Sequence, residues 1–390
     1  MALSSGFRSE VREWLEAHCP PAMRTLMPSS EVVWGGRKAS FPRPEAREWL
    51  LAVAAKGWLA PTWTKEYGGA GLSAEEAECI AEEMRLLGCR PPLMSLGIHM
   101  MGPTILEFGN EEQKREHLPK IARGEIRWCQ GYSEPGAGSD LASLQCRATP
   151  EGEDYLVTGQ KIWTSYADKS DFLFCLVRTD FSAKKQEGIS VLLIDMDSPG
   201  VSTRPIELIS GSSHFCQVFL DEVRVPARNL LGEKNRGWTI AKRMLEHERN
   251  MMGSALTGKD TRPDLLKAAA NYRPCAAELR AAIARNEMQI RAVDLTAARV
   301  QQEVASGEGS MAAPVLKYAM TVACQERFDL LQAVMGVKGL GWEASSGSFT
   351  PDEISSARNW AFSRIQTIGG GTSEVQLNIL AKFVLGLPER

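Results

Sequence analysis

The stretch GYSEPGAGSDLASL, Gly131 to Leu144, joins hydroxyl donors to residues that bare the backbone. Pro135, Gly136 and Gly138 let the chain turn with its N–H groups outward, while Ser133 and Ser139 add side-chain donors. Such a loop can surround a strongly accepting group, a pyrophosphate or a reduced ring, although the same residues also make a plain polar turn. A second chemical candidate is the carboxylate of Glu248. In GWTIAKRMLEHERNMMG, Gly237 to Gly253, helical spacing puts Ala241, Met244, Leu245, Met251 and Met252 on one apolar face with Glu248 among them. Desolvation there raises a carboxyl group toward the working pH, as suits a general base. The alternative is a structural ion pair with Arg249 or a neighbouring helix. The third candidate is QTIGGGTSEVQLNILAKFVLGLP, Gln366 to Pro388, where a glycine run enters a periodic helix. Either Ser373 caps that helix in a box with Gln376, or the bare N–H groups stay open to a ligand.

Three zones carry these residues. Ser9 to about Ile126 is helical, with AEEAECIAEEMRLLG clearly amphipathic and breaks at Pro61, Gly68 to Gly71 and Pro91-Pro92. From Arg127 to about Leu231 the period becomes that of strands, in DYLVTG, DFLFCLVRT, GISVLLID and QVFLDEVRV. From Gly232 onward long helical runs return, interrupted near TGKDTRPD and ASGEGS, and four or five helices of that length predict a bundle. The expected fold class is α+β: an N-terminal helical domain (1–126), a small β-barrel-like middle domain (127–231) and a C-terminal helical bundle (232–390). Segregated α–β–α order, with no G-x-G-x-x-G after a strand, argues against a doubly wound nicotinamide dinucleotide fold.

Composition narrows the function classes. The 390 residues are 44% hydrophobic, enough for a large core, and the net charge of -3 supplies no general field for nucleic acid. Nine cysteines without a C-x-x-C pair, and five histidines without metal-ligand spacing, fit reduced thiols in a cytoplasmic, metal-free protein. The N-terminal MALSSGFRSEVREWLEAH reads as no signal peptide, and no apolar run reaches membrane-spanning length.

The motifs together resemble the acyl-CoA dehydrogenase family. GYSEPGAGSD matches its Ser/Thr-Glu-Pro-x-x-Gly-Ser-Asp signature, and WTKEYGGAGLS (Trp63 to Ser73), GNEEQKREHLPKIARGE (Gly109 to Glu125), GQKIWTS (Gly159 to Ser165), VRVPARNLLGEKNRGW (Val223 to Trp238) and the C-terminal stretch extend the match over nearly the whole chain. The resemblance implies FAD bound between the β domain and the bundle. It assigns Tyr132, Ser133, Gly138, Ser139, Trp163, Ser165, Thr372 and Glu374 to the cofactor, with Ser133 at the pyrimidine side of the flavin and Ser165 near N5. Ser139, Arg249 and the Gly370 backbone N–H are assigned to the acyl-CoA substrate, the N–H facing the thioester carbonyl.

In medium- and short-chain members the α-proton base is a glutamate in a Tyr-Glu-Gly-Thr turn; here the turn is Gly369-Gly370-Gly371-Thr372, and that glutamate is missing. Glu248-Arg249 instead resembles the bundle-helix base of isovaleryl- and long-chain-type members, and of bacterial subunits that oxidise steroid side chains. The implied reaction is α,β-dehydrogenation of a bulky or branched acyl-CoA to trans-2-enoyl-CoA, with electrons passed to an electron-transfer flavoprotein. A subunit inactive without a related partner, or an acyl-CoA oxidase, is the alternative. Many homotetrameric relatives reach a neighbour's FAD through an Arg-x-x-Phe-Gly segment and a late-helix glutamine. Here Arg262 lacks the Phe-Gly, and Gln332 is displaced by one residue, so a heterotetramer with a second related chain stands beside the homotetramer.

Overall fold

The computed structural model describes residues 5–256, 262–272, 276–306, 312–343 and 347–388. It divides into two compact units, one of Met1–Ile206 with His214–His247 and one of Glu207–Ser213 with Glu248–Arg390. The first unit opens with five helices, α1 (Ser5–His18), α2 (Pro44–Ala55), α3 (Ala74–Leu86), α4 (Gly102–Phe108) and α5 (Glu111–Ala122). Their starts are written locally: Ser73 and Glu76 close a capping box on α3, Asn110 and Gln113 close one on α5, and α2 begins at a proline. Val11 and Leu15 of α1 meet Trp49, Leu50 and Val53 of α2 and Ile80 of α3 in one buried cluster. Glu83 of α3 is buried yet bound by Arg8 (2.6 Å) and Arg12 (2.8 Å) of α1, so the pairing fixes how those helices dock.

Eight strands follow: β1 (Trp128–Gly131), β2 (Arg147–Glu151), β3 (Asp154–Ser165), β4 (Phe172–Arg178), β5 (Ile189–Asp195), β6 (Val201–Ile206), β7 (Phe215–Pro226) and β8 (Leu230–Leu231). They form one sheet in the order β6-β7-β3-β2-β4-β5-β8, with β1 added parallel to β4. The four strand segments anticipated from sequence are β3, β4, β5 and β7, and β3 runs on through GQKIWTS. β1 and β8 are too short to show alternation, and β6 is an edge strand carrying Pro205. Gln113 of α5 donates to the carbonyls of Arg228 (2.7 Å) and Leu230 (2.8 Å), tying the helical part of this unit to the sheet.

The second unit is helical. α6 (Gly237–Leu256) contains the boundary between the units, and α7 (Leu265–Tyr272), α8 (Ala277–Ala305), α9 (Ala313–Met335), α10 (Pro351–Ser363) and α11 (Ser373–Ile379) complete the described helices. Leu265 and Ala268 pack with Ile283, Leu330, Leu331 and Val334, and a second cluster joins Ile290 and Val293 to Met320, Ala323 and Cys324. The periodic C-terminal stretch is shorter as an α-helix than its sequence suggests: α11 has seven residues before a π-turn over Leu380–Val384. No described helix is long and apolar enough to cross a membrane.

His117 of α5 gives the first unit a defined acid limit. The ring is 2% exposed, lies edge-on to Trp128 and Phe172, and leaves Nδ1 without a partner among the described residues. Burial pushes its pKa from 6.5 down to about 4. The unfolded chain therefore binds the proton first, so stability is full above about pH 6.5 and falls as the pH drops toward 4, by a total of about 3 kcal/mol. Urea midpoints at pH 7 and pH 4.5 should separate less in His117→Phe than in the parent; an equal separation would remove His117 from this limit.

Candidate functional site

β1 delivers the chain into the loop that carries the hydroxyl donors. Tyr132 is buried, and its hydroxyl donates to Met244 Sδ at 2.9 Å. The turn at Pro135-Gly136 is closed twice, by the Glu134 N–H on the Ala137 carbonyl (3.1 Å) and the Ala137 N–H on the Glu134 carbonyl (3.0 Å). Beneath it the Glu134 carboxylate accepts from the Gln145 N–H (2.6 Å), the Cys146 N–H (2.9 Å) and the fully buried Lys161 ammonium (2.7 Å). Lys161 makes a second bond, to the Tyr132 carbonyl at 3.3 Å. Neither Glu134 nor Lys161 was among the sequence candidates. The available signal was an acid and a base in adjoining motifs, one inside Ser-Glu-Pro and one inside GQKIWTS.

The loop lies against the end of β3. The Ser133 carbonyl accepts from the Ile162 N–H at 2.9 Å, and the Ser133 side chain is half-buried. Gly138 and Ser139 are exposed. A Cβ at Gly136 or Gly138 would meet nothing within 4 Å, and neither residue has positive φ. The protein's own packing therefore does not require glycine there, whereas the approach of a ligand to bare backbone would. Between Lys161 and Thr164, β3 carries one residue more than β7 opposite it. Trp163 sits in this bulge at φ 61, and Tyr166 follows at φ 51. Left-handed backbone costs a bulky residue about 1–2 kcal/mol, a strain concentrated at functional sites. The Trp163 indole is 51% exposed and edge-on to Phe215. Ser165 is half-buried and borders a crevice.

In the second unit Glu248 is half-buried and has an interaction partner. The apolar face anticipated for α6 holds in part: Ala241 and Met244 are fully buried, but Leu245 and Met251 are only half-buried. Glu248, itself half-buried, is therefore less desolvated than its spacing implied. The side chains of Arg249 and Met252 lie outside the described residues. Gly370 (φ 68) and Gly371 (φ 91) form the turn before α11, and among the described residues their N–H groups make no backbone hydrogen bond.

The expected capping box is corrected here. Thr372, not Ser373, caps α11, its hydroxyl accepting from the Val375 N–H at 3.2 Å, while Ser373 is the first helical residue, its buried Oγ without a partner among the described residues. Gln376 reaches the Gly370 carbonyl at 3.5 Å instead of closing the box. The shift by one residue follows from the two left-handed glycines, which turn the chain so that the extended backbone needed for a cap falls on Thr372. Glu374 is exposed, and its own backbone N–H with the Thr372 hydroxyl holds its carboxyl below the usual range.

The two residues at the positions whose cross-subunit contacts were expected to be lost, Arg262 and Gln332, are engaged within the chain. Arg262, nearly buried, forms a bidentate pair with Asp294 at 3.0 and 3.2 Å. Gln332 donates to the Ser356 hydroxyl at 3.1 Å.

Comparison with known proteins gives the family of the chain. Family profiles for the acyl-CoA dehydrogenase N-terminal, middle and C-terminal domains match residues 4–125, 129–223 and 235–385. Acyl-CoA dehydrogenase IpdE1 of Mycobacterium tuberculosis is 34% identical over 98% of this chain and 97% of its own length. Acyl-CoA dehydrogenase FadE26 of the same organism is 32% identical over 98% and 96%. Among solved structures, the "Tcur3481-Tcur3483 steroid ACAD" superimposes with a TM-score of 0.74 at 28% identity, covering 99% of this chain and 98% of that one. The ChsE4-ChsE5 complex from Mycobacterium tuberculosis gives 0.71 at 29%, covering 100% and 99%. With three profiles matched in order and relatives aligned end to end, the chain belongs to the acyl-CoA dehydrogenase family, FAD-dependent oxidoreductases acting on CH–CH bonds.

Proposed function

We propose that the chain oxidises the Cα–Cβ bond of a bulky or branched acyl-CoA to trans-2-enoyl-CoA and passes the electrons to an electron-transfer flavoprotein. The observation that carries this reading is the strained, half-exposed Trp163 beside a loop whose glycines leave open backbone, a surface that fits the ring and phosphates of FAD. Bound FAD supplies the hydride acceptor. Around it, Tyr132, Ser133, Gly138, Ser139, Trp163, Ser165, Thr372 and Glu374 bind and orient, with the hydroxyls of Ser133 and Ser165 donating to its ring atoms. Thr372 contributes through its backbone and methyl group, since its hydroxyl oxygen already serves α11. Ser139 holds the phosphates of CoA, Arg249 is a further substrate-binding residue, and the Gly370 N–H donates to the thioester carbonyl, lowering the cost of enolate character as Glu248 removes the α-proton. Absence of a side chain at Gly370 leaves room beside the acyl chain and supports the bulky substrate. The eight described cysteines are free thiols, in keeping with a cytoplasmic enzyme.

A second reading has a specific observation in its favour: this chain is one member of a heterotetramer and needs a related subunit to complete its flavin site. Arg262 and Gln332 are occupied by Asp294 and Ser356, and two structural relatives are described as paired proteins, Tcur3481-Tcur3483 and ChsE4-ChsE5. Purification alone and after co-expression with a neighbouring dehydrogenase-like gene separates the readings. The heteromer predicts substoichiometric FAD alone, near one FAD per site after co-expression, and anaerobic bleaching with branched or ring-bearing thioesters. Stoichiometric FAD and full turnover by the isolated chain sink the heteromer, and an optimum at butyryl-CoA sinks the bulky substrate. Rapid flavin reoxidation by oxygen with product bound would identify an oxidase.

A further inference from the structure

Bordering Ser165, a crevice opens at the start of β1, walled by Trp34, Ser95, Leu96, Arg127 and Tyr166. Arg127 is its unusual member. Its guanidinium carbon lies 4.6 Å from the Trp34 ring centre and 5.0 Å from that of Tyr166, and the residue is 8% exposed. Nη2 is buried with no hydrogen-bond partner among the described residues. The backbone at this point is held rigidly: the Arg127 N–H donates to Asp171 Oδ2 at 2.7 Å, and the Arg127 carbonyl accepts from the N–H groups of Asp171 (2.8 Å) and Phe172 (3.1 Å).

Asp168 and Asp171 favour the charged guanidinium from nearby, yet among the described residues neither hydrogen-bonds to its Nη2. Asp171 spends Oδ2 on the main-chain N–H groups of Arg127 and Arg37, while its Oδ1 has no partner among the described residues. Asp168 accepts from the Cys216 thiol. Burial holds the guanidinium below its ordinary pKa, with Tyr166 and Asp168 opposing the shift, yet an arginine remains charged at any working pH. A buried cation without an oxyanion is costly, and two aromatic faces return only part of that cost. What is missing is a planar, two-oxygen partner, the shape a guanidinium fork matches best.

We propose that Arg127 is a specificity-determining residue that receives a carboxylate at the far end of the acyl group, so that the preferred substrates are acyl-CoAs bearing a second acid. This rests on the acyl-CoA dehydrogenase reading above. The CoA phosphates do not suit Arg127, because the Ser139 loop proposed for them follows the last residue of β1 whereas Arg127 precedes its first, a separation of roughly 13 Å along the strand. Ser165, proposed above at the flavin ring, lines the same crevice, and the aromatic and aliphatic walls favour a carbon chain that ends in charge.

The test uses the FAD-loaded enzyme, with its second subunit if one is required, and three CoA thioesters of equal acyl length ending in methyl, methyl ketone or carboxylate. Anaerobic bleaching should favour the carboxylate over the methyl analogue by roughly 10- to 100-fold in kcat/KM, the range of one charge-assisted bond made on burial, and mainly through KM. Arg127→Met should bring that ratio close to one, and Arg127→Lys should restore part of it. A wild-type ratio near one, a ratio that survives Arg127→Met, or a preference for the ketone overturns the inference. If Arg127→Met does not fold, the wild-type ratio and Arg127→Lys decide by the same criteria. Should none of the thioesters bleach the flavin, the dehydrogenase reading itself fails and this inference goes with it.

Discussion

Glu248→Gln is expected to keep the FAD absorbance and product binding while slowing anaerobic bleaching by acyl-CoA roughly 10²- to 10⁴-fold, the usual worth of a positioned general base. A thioester α-proton is weakly acidic, so loss of the base is felt in the chemical step and not in ground-state affinity. Other groups on α6 are less suited. Glu246 is committed to Arg243 at 2.7 Å, and Arg243 also binds Glu107 at 2.8 Å. His247 is the serious competitor: its Nε2 is buried without a partner among the described residues, and burial lowers its pKa, leaving it neutral and able to accept a proton near pH 7. Near-native bleaching by Glu248→Gln, together with its loss in His247→Gln, would transfer the role. Adding Gly370→Glu to Glu248→Gln asks whether the other base position still works. It carries a penalty of about 1 kcal/mol because Gly370 is left-handed at φ 68, so failure to rescue does not count against Glu248.

The largest stability effect should come from Lys161→Met. That substitution leaves the Glu134 carboxylate buried beneath the loop with no cation, a loss of about 3–5 kcal/mol. Burial alone would push the lysine down, but Cys146, Cys175 and Glu134 outweigh it and hold its pKa above the ordinary 10.5. The pair is therefore intact at neutral pH, and its contribution is lost only as the pH rises past the raised lysine value. FAD affinity should fall with stability, since Lys161 also holds the Tyr132 carbonyl next to Ser133. The double variant Lys161→Met/Glu134→Leu should be more stable than Lys161→Met alone, because no unpaired charge remains. Urea midpoints and FAD titrations of the parent and the two variants measure both effects, and a double variant no more stable than Lys161→Met alone would refute the clamp.

The sequence carried the segregated α–β–α order and the long strands because period and turn chemistry are local properties. β4, FLFCLVR, is buried at all seven positions, so its unbroken apolar run was visible directly. Glu134 and Lys161 escaped notice because a charge in a loop or strand is ordinarily solvated, and only the folded sheet brings them within 2.7 Å. The helix cap was assigned to Ser373 instead of Thr372 because both residues can cap, and the choice depends on the φ values of the preceding glycines. Arg127 offered no pattern at all: its cage is assembled from Trp34 and Tyr166, far apart along the chain.

The surplus residue in β3 acts as a parity switch. Before it the buried positions are odd-numbered, Tyr155, Val157 and Lys161; after it the buried position is even, Thr164. Trp163 and Ser165 share the parity of Lys161, and an unbroken strand would turn both toward the core. The bulge is what releases them to the surface while the lysine stays beneath. Changing any one side chain here leaves the assignment of faces untouched; removing a single residue between Lys161 and Thr164 would leave both facing the core but abolish the left-handed seat of Trp163, whereas straightening the strand at its present length would send the indole inward and Thr164 out. The extra residue in KIWTS and the left-handed turn at Trp163 therefore act together: with the first but not the second, core and solvent positions beyond Lys161 would trade places.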